Sequence, residues 1–263
     1  MIRIDCRGVA PDDAAASEPM RAAIDCFVRH GYAILDHAIA EGKVRALGEE
    51  FDRHYRPRLR DEETTESKKV GDARYMIPLR LTHGFADTDV FANPYVVAVV
   101  RAVLEEKAII EAYGAVVSLP GARAQPPHHD APHLFGPEIS ALLPAHALTM
   151  ALPLVEMNDV NGTTMLVPGS HRWRGKDEDG EGIAPTVPLG SCMMWDFRLV
   201  HSGTANRSTS ARPMVYCTYA RPWYRDPVNF RRKPMRRVDF DVGFLETLPE
   251  DTQRLLDHAV DAG

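Results

Sequence analysis

The sequence of 263 residues predicts a mainly β fold with flanking helices, whose core is a sandwich or a closed β-helix of the jelly-roll type. Two observations predict it. From residue 108 onward, short runs rich in β-branched and aromatic residues alternate with turn residues. Before residue 108, apolar residues recur at helical spacing instead. We therefore expect N-terminal helices to pack outside a β core.

The expected organisation is one domain over residues 1–263. Length alone would also allow two domains, but β-barrel-like enzymes of this size are often single. Within the domain we expect a mostly helical support with pocket-mouth segments at 1–107, the β core at 108–222 and a C-terminal extension at 223–263.

Local signals predict the elements of the N-terminal part. Gly31 ends the first long helix, because glycine readily adopts the left-handed conformation at a helix C-terminus. Pro94 begins a later one, because proline is favoured in the first turn of a helix. In chain order we expect a helix start at 11–16, a helix ending at Gly31, a strand at 32–35, a helix at 41–55 and a helix starting at Asn93.

Two segments between these helices are predicted near the mouth of a pocket. Residues 58–71 are highly charged with few apolar anchors, so a lid and a plain surface loop fit them equally. Residues 74–82 are apolar and β-prone but are interrupted by Pro78. Tyr75 and Arg80 in this segment are candidate substrate contacts, and ordinary packing or surface positions are the alternative for each.

The β core is predicted as a series of short strands followed by a helix. Asn161-Gly162 and Pro168-Gly169 separate some of them, since Gly tolerates positive φ and Asn bonds its own backbone. The expected strands are 109–119, 123–130, 146–155, 163–167, 185–188, 191–197 and 213–221, and the expected final helix is 246–259.

Composition excludes several function classes. The net charge of −6 offers no bulk attraction to nucleic acid or to an anionic membrane. The four cysteines show neither zinc-finger nor disulfide-framework spacing, which favours reduced thiols in the cytoplasm. No signal peptide or membrane-spanning stretch is apparent. The expected partner is a small-molecule substrate, and the oligomeric state is open.

The most informative stretch runs from Gln125 to Asp130, with sequence Gln-Pro-Pro-His-His-Asp. In a β-strand, residues i and i+2 point to the same face, so His128 and Asp130 would project together and His129 away from them. They supply two ligands of a 2-His-1-carboxylate facial triad, which suits non-haem Fe(II). His201 is the strongest candidate for the third ligand.

An arginine follows His201, the candidate third ligand, in the sequence. Arg212 lies 11 residues after His201 (212 − 201). A guanidinium binds a carboxylate through two parallel hydrogen bonds. An iron site with such a residue nearby can hold the far end of a dicarboxylate cosubstrate. The alternative for Arg212 is a surface position.

These residues carry a family resemblance, and it rests on three motifs in order. The chain resembles the phytanoyl-CoA dioxygenase family of Fe(II)/2-oxoglutarate oxygenases in Gln125-x-x-His128-x-Asp130, in residues 161–171 with their Pro-Gly-Ser-His turn, and in His201 with Arg212. The motifs span about a third of the chain. The resemblance implies a double-stranded β-helix (jelly-roll, cupin-like) core, Fe(II), 2-oxoglutarate as cosubstrate and O2. It does not imply a substrate.

The resemblance also implies roles for single residues. Arg212 would bind the distal carboxylate of 2-oxoglutarate with the help of a hydroxyl group, for which Thr164, Tyr113 and Ser118 are unranked candidates. Gln125 would bond near the iron or the cosubstrate, or serve structure. Asp130 stands where related halogenases carry a small residue, so hydroxylation or another oxidation is favoured over halogenation.

Other residues near these motifs have weaker assignments. His133 is a candidate substrate contact or a turn cap, and Trp195 is a candidate substrate contact or a core residue. His171 is rejected as a ligand, because the triad is already complete and its turn is expected at the rim.

The predicted function is a dioxygenase that hydroxylates an unactivated C–H bond of a small molecule and releases succinate and CO2. The alternatives are a cupin-like metal-binding or sensing protein without oxygenase activity, and a zinc hydrolase with two histidines and a carboxylate. Arg212 argues against both, since neither needs a clamp for a dicarboxylate.

Overall fold

The computed structural model describes residues 1–60, 66–175, 179–230 and 236–262. Within these ranges the chain forms two sheets, and the predicted mainly β class with flanking helices is confirmed. The strands are β1 (Ile4–Asp5), β2 (Tyr32–Asp36), β3 (Lys68–Gly71), β4 (Arg74–Pro78), β5 (Ile109–Ser118), β6 (Ala147–Pro153), β7 (Thr164–Leu166), β8 (Cys192–Asp196), β9 (His201–Gly203) and β10 (Arg212–Ala220).

The helices lie mostly before the β core. The α-helices are α1 (Glu18–His30), α2 (Glu41–His54), α3 (Thr88–Phe91), α4 (Pro94–Leu104), α5 (Pro137–Ser140) and α6 (Glu250–Gln253). Short 3-10 helices span Pro11–Ala16, Arg56–Arg58, His83–Ala86, Ser170–Arg172, Leu245–Thr247 and Asp257–Ala262. Among the described residues, no helix is both long and apolar enough to cross a membrane.

The larger sheet has eight strands in the order β1-β2-β8-β6-β10-β5-β4-β3, and the smaller sheet pairs β7 with β9. All pairings are antiparallel except that of β1 with β2. The main apolar core fills the space between the larger sheet and helices α1, α2 and α4. The opposite face of that sheet is left to form a cavity with the smaller sheet.

Helix α1 shows how local sequence sets an element of the support. The Oγ atom of Ser17 accepts a hydrogen bond from the backbone N–H of Met20 at the helix start. Gly31 ends the helix with φ 78°, the left-handed conformation expected of a C-terminal glycine. Met20, Ala23 and Phe27 lie on the buried face. The predicted helices ending at Gly31 and covering 41–55 are thus found within a residue or two of their expected ends.

Three predicted elements differ from the structure. Residues 123–130 form no regular strand, since Pro126 and Pro127 have no N–H to donate to a ladder. Residues 185–188 make only a single bridge, between Val187 and Met157. The helix expected at 246–259 is replaced by three short helical segments, and Pro249 accounts for the break between the first two. In the 58–71 segment, Lys68–Gly71 forms β3 and Arg58 ends a short 3-10 helix, and residues 61–65 lie outside the described ranges.

Candidate metal centre

Three side chains converge at one end of the cavity between the two sheets. One ligand atom each from His128, Asp130 and His201 can be chosen so that all lie within 4.8 Å of one another. Two nitrogen donors and one oxygen donor at this spacing suit a divalent transition metal and leave the remaining coordination positions open. The predicted triad is therefore assembled by the fold, although no regular strand carries its first two members.

Backbone pairing brings the two histidines together. His128 N–H donates to the carbonyl of His201 at 2.9 Å, and His201 N–H donates to the carbonyl of His128 at 3.0 Å. This two-residue antiparallel bridge joins the 123–130 loop to β9. Asp130 is attached nearby, since its N–H donates to the carbonyl of Phe197 at 3.1 Å. Gln125 N–H also donates to the carbonyl of Gly203 at 2.9 Å, so four backbone bonds replace the strand that was expected here.

Both histidines are oriented by a carbonyl. Nδ1 of His128 lies 2.9 Å from the carbonyl oxygen of Pro126, and Nδ1 of His201 lies 2.9 Å from that of Leu199. A carbonyl oxygen only accepts, so Nδ1 carries a proton in each ring, and Nε2 is the nitrogen that a neutral ring presents to a metal. Such bonds fix the ring orientation of metal-binding histidines. The two rings therefore fit a metal on the Nε2 side.

The carboxylate of Asp130 is held by two donors. Its Oδ2 atom accepts hydrogen bonds from Oγ1 of Thr149 at 3.0 Å and from Nε1 of Trp195 at 2.9 Å. Its Oδ1 atom faces Nε2 of His201 at 3.4 Å. One oxygen is thus positioned by the protein, and the other is directed at the shared point.

The charges of the triad are coupled. Burial and the neighbouring His201 lower the pKa of His128, which favours the neutral form that binds a metal. Burial acts to raise the pKa of Asp130, but the charge and hydrogen bond of His201 outweigh it and lower the value. Asp130 is therefore ionised and ready to act as a ligand.

His129 points away from the metal centre, as predicted. Its Nδ1 atom lies 2.7 Å from the carbonyl oxygen of Arg198, on the other side of the loop. His133 packs against that ring, with centroids 5.2 Å apart, and does not line the cavity. His171 is buried next to α1, with Nε2 3.3 Å from the carbonyl oxygen of Val28. None of these three histidines joins the triad.

Arg212 lies at the same cavity. It begins β10, is 4% exposed, and lines the cavity together with His128 and His201. Its Nη1 atom is buried without a hydrogen-bond partner among the described residues. Burial is the main cause that lowers the pKa of Arg212 to about 9, with a further contribution from the positive charge of Arg74. A buried guanidinium without a carboxylate partner is suited to an anionic ligand.

The residues predicted to assist Arg212 are placed differently from one another. Thr164 lines the cavity and is buried, whereas Tyr113 lies in the main core and donates its hydroxyl to the carbonyl of Phe85.

Gln125 also lines the cavity. Its Nε2 donates to the carbonyl of Val70 at 3.1 Å, and its Oε1 accepts from Gly203 N–H at 3.1 Å. Its amide thereby joins β3 to β9.

Three of the four candidate substrate contacts lie outside the cavity: His133, Tyr75 and Arg80. Tyr75 is buried on the opposite face of β4 from Arg74 and Met76, which do line the cavity. Arg80 lies in a separate surface pocket and forms an ion pair with Asp241. Trp195 lines the cavity, where it donates to Asp130 and its ring lies 5.1 Å from that of His201 between centroids.

Sequence reasoning missed Arg74 and Thr149. Both line the cavity from within strands. The sequence carries only a weak indication of each residue. Arg74 is a charged residue in an apolar, β-prone run. Thr149 carries a hydroxyl group in a strand that is buried along its whole length. Neither signal indicates the element that such a residue faces, because that depends on the order of strands in the sheet.

Comparison with protein families gives one match over most of the chain. The family described as Phytanoyl-CoA dioxygenase (PhyH) matches residues 27–214. This range contains the three triad residues and Arg212.

Curated relatives and solved structures are also similar. Dioxygenase ALT11 from Alternaria alternata is 27% identical over 146 residues, which cover 49% of this chain and 47% of that protein. The chain spans about half the length of the curated relatives it matches.

Among solved structures, HygX from Streptomyces hygroscopicus with nickel and 2-oxoglutarate bound is 14% identical, with a TM-score of 0.63 over 78% of this chain and 89% of that one. The epimerase SnoN, in complex with Fe3+, alpha ketoglutarate and nogalamycin RO, is 16% identical, with a TM-score of 0.58 over 84% of this chain and 94% of that one. At these identities the likeness concerns the fold, and it agrees with the predicted jelly-roll class.

Proposed function

Because the chain belongs to the phytanoyl-CoA dioxygenase family, we propose that it is a non-haem Fe(II)- and 2-oxoglutarate-dependent dioxygenase that hydroxylates a C–H bond of a small molecule. The observation that carries this proposal is that one cavity contains both a group of possible metal ligands and a cationic side chain that can bind a carboxylate. Three ligand side chains meet within 4.8 Å at one place. The buried guanidinium of Arg212 lines the same cavity, and it forms no ion pair with a carboxylate of the described residues.

The protein's share of the reaction is to hold and orient. Fe(II), 2-oxoglutarate and O2 supply the oxidising chemistry, with succinate and CO2 as products. His128 and His201 would bind the metal through Nε2, since a carbonyl fixes Nδ1 in each. Asp130 would bind through Oδ1, with Oδ2 held by Thr149 and Trp195.

The cosubstrate is proposed to lie between the metal centre and Arg212. The guanidinium would bind its distal carboxylate through paired hydrogen bonds. Thr164 and Gln125 are retained as neighbours of the cosubstrate, since both line the same cavity. The amide of Gln125 is already bonded to two backbone groups, which supports a positioning role for it.

The rest of the cavity supports a small organic substrate. Its apolar walls come from Val70, Met76, Val116, Met214 and Phe230. A few polar groups, Thr218, Asp226 and Asn229, interrupt these walls. Such a mixture is typical of small-molecule sites, where apolar surface binds and a few polar groups orient. An apolar wall also keeps water away from the C–H bond that reacts.

The proposal is tested without knowing the substrate. Anaerobic addition of Fe(II) and 2-oxoglutarate is expected to produce a weak visible charge-transfer band, and admission of air is expected to give slow succinate formation. His128→Ala, Asp130→Ala and His201→Ala are each expected to abolish both signals. The matched control is His129→Ala, which changes the neighbouring histidine whose Nδ1 bonds the carbonyl of Arg198.

The outcomes separate this function from its alternatives. Loss of both signals in the three triad variants and their retention in His129→Ala support the proposal. Metal binding by the wild-type protein without a 2-oxoglutarate band or succinate would favour a metal-binding or sensing protein. Full succinate formation by His201→Ala would refute the assignment of the centre.

A further inference from the structure

Four residues of β10 face the cavity in a row. Arg212, Met214, Tyr216 and Thr218 all line it, as alternate residues of one strand should. Arg212 begins the row, at the end where the cosubstrate is proposed to bind. Thr218 lies six residues further on (218 − 212), which is roughly 20 Å along the strand. The Tyr216 and Thr218 end of the row is therefore left to another molecule.

Thr218 also belongs to a row of paired residues that crosses three strands beside Asp130. It pairs with Thr149 of β6, and Thr149 pairs with Trp195 of β8. Paired residues point to the same face of a sheet, and all three line the cavity. Thr149 and Trp195 each donate a hydrogen bond to Asp130. The hydroxyl of Thr218, a residue that is only 6% exposed, forms no hydrogen bond with the described residues.

Tyr216 brings a second hydroxyl group to this end of the cavity. Its ring extends over Gly114, its partner on β5, where a Cβ atom would lie 2.6 Å from the Tyr216 hydroxyl oxygen and 2.5 Å from the carbonyl oxygen of Ile77. Gly114 does not have the positive φ that favours glycine, so its lack of a side chain is explained by these two close approaches. Tyr216 is 7% exposed, and within the described chain its hydroxyl also has no hydrogen-bond partner.

Asp226 adds a carboxylate to the same cavity. It is 4% exposed and lines the cavity wall. Its oxygens accept hydrogen bonds from the N–H groups of Val228 at 2.7 Å and Asn229 at 3.1 Å, and from Nδ2 of Asn229 at 2.8 Å. These neutral donors orient the carboxylate but supply no positive charge. Arg237 forms its ion pair with Glu111, and no basic side chain of the described residues forms one with Asp226.

Building on the proposed function, we propose that Tyr216, Thr218 and Asp226 form the substrate subsite, and that its ligand is a small molecule with a protonated amine. The amine donates hydrogen bonds to Asp226 and supplies the positive charge that this buried carboxylate lacks. The hydroxyl groups of Tyr216 and Thr218 accept further hydrogen bonds from the ligand. The apolar walls of the cavity hold its carbon skeleton near the metal centre.

Other ligands explain this end of the cavity less well. An anionic group would meet the like charge of Asp226. A wholly apolar molecule would cover the hydroxyl groups of Tyr216 and Thr218 without giving them partners, which is unfavourable. A purely structural role for Asp226, as the acceptor of a turn, accounts for its three hydrogen bonds but not for the two unused hydroxyl groups beside it.

The experiment measures binding of three ring compounds of similar size to the protein loaded with Fe(II) and 2-oxoglutarate, by anaerobic calorimetry. Cyclohexylamine is a cation, cyclohexanol is neutral and cyclohexanecarboxylate is an anion. The wild-type protein is expected to bind the amine about 10-fold more tightly than the alcohol, and the carboxylate most weakly. Asp226→Asn is expected to weaken amine binding by about 10- to 100-fold and to leave alcohol binding unchanged. The matched control is Asp52→Asn, at an exposed position of α2.

Two further variants keep the test decisive if Asp226→Asn does not fold. Thr218→Val and Tyr216→Phe keep the shape of the side chain and remove its hydroxyl group. Each is expected to weaken amine binding by about 2- to 10-fold, with unchanged affinities for Fe(II) and 2-oxoglutarate, which a collapse of the cavity would not leave unchanged. A wild-type protein without preference for the amine overturns the proposal, as do equal losses for amine and alcohol in the folded variants.

Failure of this inference is distinguishable from failure of the proposed function. The titrations are repeated on the metal-free protein, because none of the three subsite residues belongs to the group of candidate metal ligands. If the wild-type protein consumes 2-oxoglutarate but shows no preference for the amine, only the subsite is wrong. If it neither binds 2-oxoglutarate nor forms succinate, yet binds the amine through Asp226, the dioxygenase assignment is wrong and the amine subsite stands.

Discussion

At the scale of single residues, the metal centre depends on groups that bind its ligands. The carbonyls of Pro126 and Leu199 select the same tautomer in the two histidines. Asp130 is oriented by Thr149 and Trp195. Sequence spacing could predict the three candidate ligands that the fold brings together, because the facial triad requires particular residue types. It could not predict Thr149, because its contact with Asp130 depends on where the loop crosses β6.

Trp195→Phe tests this support. The change keeps most of the ring but removes the Nε1–H donor to Asp130. Because such supporting bonds hold the ligand in position, the affinity for Fe(II) is expected to fall by about 10- to 100-fold. The measurement is an anaerobic Fe(II) titration against a competing chelator. Trp223→Phe, at a tryptophan that is 63% exposed, is the control and should bind Fe(II) like the wild-type protein. Unchanged affinity in Trp195→Phe would show that Thr149 alone orients the carboxylate.

At the scale of elements, local signals predicted helices better than strands. Helices α1 and α4 have a side-chain cap at the first turn, and both appear where expected. The strand at 123–130 did not form, because ladder bonds need donors that Pro126 and Pro127 lack. A helix is specified by residues within a few positions of one another, whereas a strand also depends on a partner that is remote in sequence.

The caps of α1 and α4 should differ in their contribution to stability. Asn93 is 1% exposed, accepts hydrogen bonds from the N–H groups of Tyr95 and Val96, and donates to two carbonyls. Ser17 accepts one bond, from Met20 N–H. We expect Asn93→Ala to lower the free energy of unfolding by about 2 kcal/mol and Ser17→Ala by about 1 kcal/mol. Urea denaturation of both variants checks this, and equal losses would contradict the reading of Asn93 as a doubly bonded cap.

At the scale of the whole molecule, the site exists because the two sheets enclose one cavity. The candidate ligands come from the 123–130 loop and β9, and Arg74 and Arg212 come from β4 and β10. The family motifs predicted the candidate ligands and Arg212 from sequence alone, and the fold places all four at one cavity. Arg74 could not be indicated in this way, since its approach to Arg212 follows from the strand order β10-β5-β4. Strand order is a property of the complete fold and leaves no local pattern.

A buried histidine far from the metal centre should make the stability of the whole chain depend on pH. His146, just before β6, is 3% exposed and packs against Tyr224, with ring centroids 4.6 Å apart and the planes tilted by 54°. Its Nε2 has no hydrogen-bond partner among the described residues. Burial lowers its pKa from 6.5 to about 4, and the charge of Asp196 only partly opposes this. The unfolded chain therefore takes up a proton at higher pH than the folded chain does.

The sign of the effect follows from that difference. Well above pH 6.5, His146 takes up no proton in either state and the free energy of unfolding has its full value. As the pH falls from 6.5 toward 4, only the unfolded chain takes up the proton, so the free energy of unfolding is lower by about 3 kcal/mol at pH 4. His146→Phe keeps the aromatic contact with Tyr224 but cannot take up a proton. Urea unfolding between pH 7 and pH 4 should therefore show a smaller acid loss in this variant than in the wild-type protein. His54→Gln, at an exposed position of α2, should keep the wild-type slope. Parallel curves for His146→Phe and the wild-type protein would mean that His146 is protonated in the folded chain, with Asp196 as its counterion.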